Sequence, residues 1–200
     1  MRPPSVPVPV ILLLQLALAL ALLLPAPAPA RAAPAPQPAV EGVSIDVQDG
    51  DSIVFRGSDG VKLRVRIAGI DAPEQSQPFA DASRQHLRTM LRDRRIRIDP
   101  IKRDVYGRTV ARLWVLDAEQ PPRDAALAQV EAGLAWHFRR YRADQTPAEF
   151  ARYAGAEQTA RSARAGLWRD GPPEPPWDFR SRMRRDRAAP APSAPPSRER

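Results

Sequence analysis

Residues 61–74 read VKLRVRIAGIDAPE and contain the most regular alternation of apolar and basic residues in the chain. A period of two predicts a β-strand with one buried face, and the inward positions are then Val61, Leu63, Val65 and Ile67. Asp71 and Glu74 follow this strand, and Pro73 restricts the backbone between them. The two carboxylates fit either a polar turn that caps the next helix or a site for a metal ion and a phosphate.

The rest of the central region predicts four more strands and three helices. Alternating or apolar runs bounded by turn residues predict strands at 43–47, 52–55, 94–102 and 109–116. Helical spacing predicts helices at 78–92, with Pro78 in the first turn, and at about 124–132 and 147–164. Three strands, a helix, two strands and two helices predict an α+β, mainly β-barrel fold: a five-stranded OB-fold Greek-key barrel with three helices.

The first 30 residues have the order of regions found in a secretory signal peptide. Arg2 precedes an apolar stretch over residues 8–24, and small residues with prolines follow. The motif APA at 28–30 predicts cleavage after Ala30. The alternative is an uncleaved membrane anchor, because the apolar stretch is near the lower length limit for spanning a bilayer. We expect cleavage, and therefore a secreted or periplasmic protein without stable membrane insertion.

Composition changes on both sides of the predicted barrel. Residues 31–42 are rich in Ala and Pro, which is typical of an extended linker. Residues 170–200 are rich in Pro and Arg with few apolar side chains, which is typical of a disordered basic tail. The sequence therefore predicts a signal peptide (1–30), this linker, one domain over residues 43–169, and this tail.

The net charge favours a polyanionic partner. With 31 basic and 23 acidic residues, the chain has a formal net charge of +8, and basic surfaces attract polyanions through counterion release. Nucleic acids and acidic membrane surfaces are the candidates on this ground. The chain contains no cysteine and only two histidines, which argues against disulfides and against a zinc site.

Acidic and basic residues recur where the predicted strands begin and end. Asp51 begins the second strand, Arg66 is near the end of the third with Asp71 and Glu74 after it, and Arg108 precedes the fifth. If these strand ends meet at one rim, the aspartates form an oxygen site suited to Ca²⁺ or Mg²⁺. Guanidinium groups bind phosphate oxygens bidentately, and a carboxylate beside a metal can accept a proton from water.

Five segments have the order and spacing of the staphylococcal nuclease-like (thermonuclease) family, which the sequence resembles over about residues 43–168. They are DGDS at 49–52, RIAGIDAPE at 66–74, DVYGR at 104–108, GLAW at 133–136 and AEQTAR…GLW at 156–168. The motif PPWDFR at 175–180 also resembles the ends of many exported bacterial members. The sequence thus resembles an exported bacterial member of this family.

The resemblance implies a Ca²⁺-dependent phosphodiesterase that acts on DNA and RNA and leaves 5′-hydroxyl and 3′-phosphate ends. Two arginines would hold the phosphate and a glutamate would activate the water. The implied residues are, for catalysis, Arg66, Glu74 and Arg108; for the metal, Asp51, Asp71 and the carbonyl of Ala72; and for substrate binding, Tyr106 and Tyr141. For Tyr141, simple packing is an equally good interpretation.

Two other functions stay open at this point. A noncatalytic OB-fold module that binds nucleic acid is the main alternative, although all five polar positions of the family pattern are present here. A basic protein held at an acidic surface would explain the C-terminal segment but not the carboxylates. The expected oligomeric state is a monomer, and the residues favour neither DNA nor RNA.

Overall fold

The structure is a computed structural model, and it describes residues 38–188. The predicted signal peptide, the first part of the predicted linker and the end of the predicted tail lie outside these residues. The strands are β1 Val40–Val47, β2 Ser52–Gly57, β3 Lys62–Ile67, β4 Ile70–Asp71, β5 Arg95–Arg103, β6 Thr109–Leu116, β7 Arg123–Asp124 and β8 Trp136–His137. The α-helices are α1 Ala80–Leu91, α2 Ala125–Glu131, α3 Pro147–Ser162 and α4 Pro176–Ala188, and 3₁₀ helices cover Arg139–Asp144 and Gly166–Trp168.

Five of the strands close into a barrel. The order β3-β2-β1-β5-β6 is antiparallel at each step, and a parallel pairing of β3 with β6 completes the ring. This pairing sets Val65 opposite Thr109 and Ile67 opposite Ala111. The strand order confirms the predicted α+β class and the five-stranded OB-fold barrel.

The barrel interior is filled by the apolar positions of the alternating strands. Val65 and Ile67 of β3 are buried as predicted, but Val61 is 52% exposed. The prediction for Val61 is wrong because β3 begins at Lys62, and Val61 belongs to the hairpin turn, where its carbonyl accepts from the amide of Gly57. Leu87 of α1 is completely buried and belongs to the same core.

Helix α1 begins later than the sequence predicted. Phe79 has a φ of +67°, in the left-handed region, and the helix begins after it at Ala80. An L-residue in this conformation cannot continue a right-handed helix. Pro78 therefore lies outside the helix instead of in its first turn.

The domain extends beyond its predicted limits at both ends. Strand β1 begins at Val40 and pairs with β5 over Val40–Gly42, so the linker prediction is wrong for these residues. Helix α4 lies within the segment predicted to be a disordered tail, so residues 38–188 contain four α-helices where three were predicted. Its Trp177 ring is 6.4 Å from Trp136 and 5.4 Å from Phe138, measured between ring centroids. This aromatic contact fixes the start of α4 on the domain.

Within residues 38–188, none of the helices combines the length and the apolar composition needed to cross a lipid bilayer.

Candidate active site

The strand register brings three strand ends to one rim of the barrel. Ser52 at the start of β2 pairs with Arg66 near the end of β3, and the amide of Ile67 donates to the carbonyl of Asp51 at 2.8 Å. The parallel pairing sets Val65 opposite Thr109, so Arg108 arrives at the same rim. The predicted residues Asp51, Arg66 and Arg108 are therefore neighbours because of backbone pairing alone.

The guanidinium of Arg66 connects two buried carboxylates. Its Nη1 is 2.9 Å from Asp51 Oδ2, and its Nη2 is 2.9 Å from Asp71 Oδ1. The side chain of Asp71 is 2% exposed and that of Asp51 is 7% exposed. One oxygen of each carboxylate is therefore within hydrogen-bond distance of the same planar group.

Burial changes the acidity of both aspartates. It raises the pKa of Asp51 to about 6, although Arg66 and the hydrogen bonds from Ala72 and Ser52 act in the opposite direction. Burial likewise raises the pKa of Asp71, against the effect of neighbouring guanidiniums. Desolvation disfavours the charged form, so each aspartate is stabilised as an anion by any further cation placed beside it.

Ala72 lies next to Asp51 through its amide. The N–H of Ala72 donates to Asp51 Oδ2 at 2.7 Å, and Ser52 Oγ donates to Asp51 Oδ1 at 3.0 Å. These contacts fix the Asp51 carboxylate from two sides. The ligation of a metal by the Ala72 carbonyl stays a prediction.

A glycine allows the chain to turn from β3 into β4. Gly69 has a φ of +78°, and a Cβ at this position would lie 2.7 Å from Gln145 Nε2 and 2.9 Å from Tyr153 Cε2. Both the conformation and the lack of space require glycine. The turn leads into β4, where Asp71 pairs with Trp136 of β8.

Arg108 is fixed by the turn that precedes β6. Its Nε donates to Asp104 Oδ2 at 2.8 Å, and its Nη1 lies 3.5 Å from Ser52 Oγ. Asp104 Oδ1 also accepts from the amides of Tyr106 and Arg108. Burial alone would raise the pKa of Asp104, but these hydrogen bonds lower it. Arg108 therefore faces the Asp51 side of the rim with one of its two Nη atoms.

Glu74 has a partner that the sequence analysis missed. Arg180 of α4 donates from Nη1 to Glu74 Oε1 at 2.6 Å and from Nη2 to Asp71 Oδ2 at 2.8 Å. Burial alone would lower the pKa of Arg180, but its bonds to these two carboxylates raise it. The motif PPWDFR was the available signal, because two aromatic residues are unusual in a disordered basic segment.

The two predicted substrate-binding tyrosines lie in different surroundings. Tyr106 is 70% exposed, and its ring centroid is 5.5 Å from the guanidinium carbon of Arg108. Tyr141 contacts Lys102, with Nζ 4.6 Å from the ring centroid, and packs at an edge against Phe138. The structure thus brings Tyr106 to Arg108, whereas it places Tyr141 on Lys102 and Phe138.

The cluster can bind a cation and a phosphate at adjoining positions. Two buried carboxylates supply hard oxygen ligands, and Arg66 and Arg108 supply donors that match phosphate oxygens. Across the described part of the chain, no group of three or more His, Cys, Asp or Glu side chains has the arrangement of a metal site. Any cation at Asp51 and Asp71 would therefore need backbone oxygen or water to complete its ligands.

Comparison with known proteins gives a consistent assignment. A family model described as staphylococcal nuclease homologue matches residues 64–170. Protein ParB of Escherichia coli is 38% identical over 153 residues, which cover 74% of this chain and 84% of that protein. A protein described as an uncharacterized endonuclease of Escherichia coli is 29% identical over 143 residues, covering 72% of this chain and 86% of that protein.

A plant relative is longer. The probable staphylococcal-like nuclease CAN2 of Oryza sativa subsp. japonica is 37% identical over 129 residues, which cover 63% of this chain. The chain spans 31% of the length of that protein.

The ion pairs of Arg66 generate a stability prediction. Arg66→Ala leaves the Asp51 carboxylate buried without its paired guanidinium, so we expect the free energy of unfolding to fall by about 3–5 kcal/mol in the presence of a chelator. Urea denaturation at pH 7 measures the change. Arg64→Ala, two residues earlier on the same strand and exposed, is the control and is expected to cost less than about 1 kcal/mol. Equal losses of unfolding free energy in the two variants would contradict the buried ion pairs of Arg66.

Proposed function

The chain belongs to the staphylococcal nuclease homologue family, and we propose on this premise that it is a calcium-dependent nuclease that hydrolyses phosphodiester bonds of DNA and RNA to 3′-phosphate ends. The observation that carries the proposal is the guanidinium of Arg66 between the buried carboxylates of Asp51 and Asp71. Glu74 and Arg108 contact the same cluster through Arg180 and Ser52.

The residues at the rim fit a calcium ion. Calcium binds carboxylate, carbonyl and water oxygens in flexible arrangements, and Asp51 and Asp71 offer two carboxylates that contact the same guanidinium. Their raised pKa values mean that a cation relieves an electrostatic cost of burial. Asp51, Asp71 and the Ala72 carbonyl would hold the ion. When bound, such an ion polarises a phosphoryl oxygen and lowers the pKa of a coordinated water.

The side chains of the rim account for the remaining steps. Arg66 and Arg108 approach Asp51 and Ser52, which are adjacent in sequence, so both guanidiniums can donate to one phosphate group. Their fixed charges stabilise the extra negative charge that develops on the phosphorus oxygens during attack by water. Glu74 can accept the proton of that water as a general base.

A single-stranded substrate fits the surroundings of Arg108. Tyr106 is largely exposed beside it, and an exposed aromatic ring stacks on bases without preference for their identity. The positive net charge of the chain favours DNA and RNA alike.

One assay tests the proposal. We expect the full chain to cleave single-stranded DNA and RNA with Ca²⁺, to stop when a chelator is added, and to leave ends that phosphatase treatment shifts on a gel. Binding without cleavage would instead identify a noncatalytic OB-fold module. Cleavage that continues in the chelator would contradict the role of the metal.

The phosphate-binding role of Arg108 gives a second prediction. Arg108→Ala is expected to lower kcat for DNA cleavage by about 10²–10³-fold, because one preorganised donor to the transition state is lost. Arg56→Ala is the matched control, since it removes the same charge from an exposed position near the other end of β2. A kcat for Arg108→Ala equal to that of Arg56→Ala would contradict the phosphate-binding role of Arg108.

We also propose that the chain is exported. Residues 1–30 would direct the chain out of the cytoplasm and be removed after Ala30. The purified periplasmic or secreted protein is then expected to begin at Arg31 by N-terminal sequencing, and Leu18→Arg, which places a charge in the apolar stretch, is expected to keep the chain in the cytoplasm. An exported protein that retains Met1 would favour the membrane anchor.

A further inference from the structure

Helix α4 is attached to the strand pair that carries Asp71. Trp177 packs against Trp136 with 6.4 Å between ring centroids, and Trp136 is the pairing partner of Asp71 between β4 and β8. A second attachment comes from Gln77, whose Nε2 donates to the carbonyl of Glu174 while its Oε1 accepts from the amide of Glu74. The segment that leads into α4 and the loop that holds Glu74 are therefore bound to the same side chain.

These attachments bring Arg180 to the carboxylates. Arg180 lies three residues after Trp177, and residues at this spacing share a face of a helix. Its Nη1 contacts Glu74 Oε1 at 2.6 Å and Asp71 Oδ1 at 3.3 Å, while its Nη2 contacts Asp71 Oδ2 at 2.8 Å. One guanidinium thus connects the predicted general base with a predicted metal ligand.

This contact differs from the other ion pairs of the same helix. The Glu74 side chain is 37% exposed and the Glu174 side chain that pairs with Arg182 is 39% exposed, but Arg180 also pairs with Asp71, whose side chain is 2% exposed. Exposed ion pairs contribute little because water screens them. A planar guanidinium that connects two carboxylates, one of them buried, has defined geometry and restricts both partners.

We propose that Arg180 is a positioning residue of this active site, which holds the Glu74 carboxylate in place and makes helix α4 part of the catalytic unit. The inference rests on the proposed nuclease function. The Glu74 side chain is 37% exposed on a turn, and its rotatable bonds allow several positions. Arg180 selects one of them, close to Asp71. A catalytic group that is displaced by about 1 Å can lose about 10²-fold in rate.

The same contacts are also compatible with the opposite role for Arg180, in which its guanidinium blocks the carboxylate oxygens that a cation would use. The two roles predict opposite changes in kcat when Arg180 is removed. Removal of a positioning residue lowers kcat, whereas removal of a blocking residue raises kcat.

The experiment compares Arg180→Ala, Arg180→Lys and Arg182→Ala in the full chain. Arg182→Ala is the matched control, because it removes one positive charge from the same helix, with its exposed ion pairs to Glu174 and Asp186, outside the carboxylate cluster. We expect Arg180→Ala to lower kcat for single-stranded DNA by about 10–100-fold relative to this control, with KM close to the control value. Arg180→Lys should recover part of kcat, since an ammonium keeps the charge but lacks the planar fork.

A double-mutant cycle separates positioning from a general effect on the fold. If Arg180 acts through Glu74, Arg180→Ala should lower kcat much less in a Glu74→Gln background than in the wild-type background. An undiminished effect in that background would overturn the inference, and so would a kcat for Arg180→Ala equal to or above that of Arg182→Ala. In each of these cases the wild-type chain still cleaves DNA and the proposed function stands. A wild-type chain that does not cleave DNA would overturn both.

Discussion

The burial of Asp51 and Asp71 on either side of Arg66 is the constraint on which the rim of the barrel depends. Taking three charges out of water costs free energy that their mutual attraction only partly offsets. Apolar residues of similar size would fill the same space at no such cost. A cluster of this kind is weak evidence for stability, and its charges are suited to binding a ligand. The barrel contributes the rigid register that holds the carboxylates together, since β2 and β3 pair Ser52 with Arg66.

Much of this arrangement follows from local patterns in the sequence. A period of two along β3 places Val65 and Ile67 in the core and Arg66 on the other face, and the structure agrees. Local patterns do not predict that the strand ends meet, because their proximity depends on the parallel pairing of β3 with β6. The order of the elements predicted that pairing only through the OB-fold topology. The sequence therefore indicated which residues to consider, and the topology determined that they are neighbours.

The features that the sequence did not predict depend on tertiary contacts. The composition of residues 170–200 indicates disorder, yet Trp177 packs against Trp136 and Phe138, and this contact lies in the first turn of a helix that begins at Pro176. Arg180 then lies beside Asp71, more than a hundred residues away in sequence. Likewise, the left-handed conformation of Phe79 delays the start of α1, although helical spacing begins earlier. The average composition of a segment does not show whether a single aromatic residue such as Trp177 packs against the rest of the domain.

Asp71 is the residue at which the arginines and a cation would meet. Its Oδ1 accepts from Arg66 and Arg180, and its Oδ2 accepts from Arg180. An ionised carboxylate has about four lone-pair positions, so three donors leave room for one further ligand on Oδ2. Asparagine has one acceptor oxygen and would present an amide nitrogen to a guanidinium, which is repulsive. Only an acidic side chain with two equivalent oxygens can hold both guanidiniums and still bind a cation, and aspartate is short enough to do so at the end of a two-residue strand.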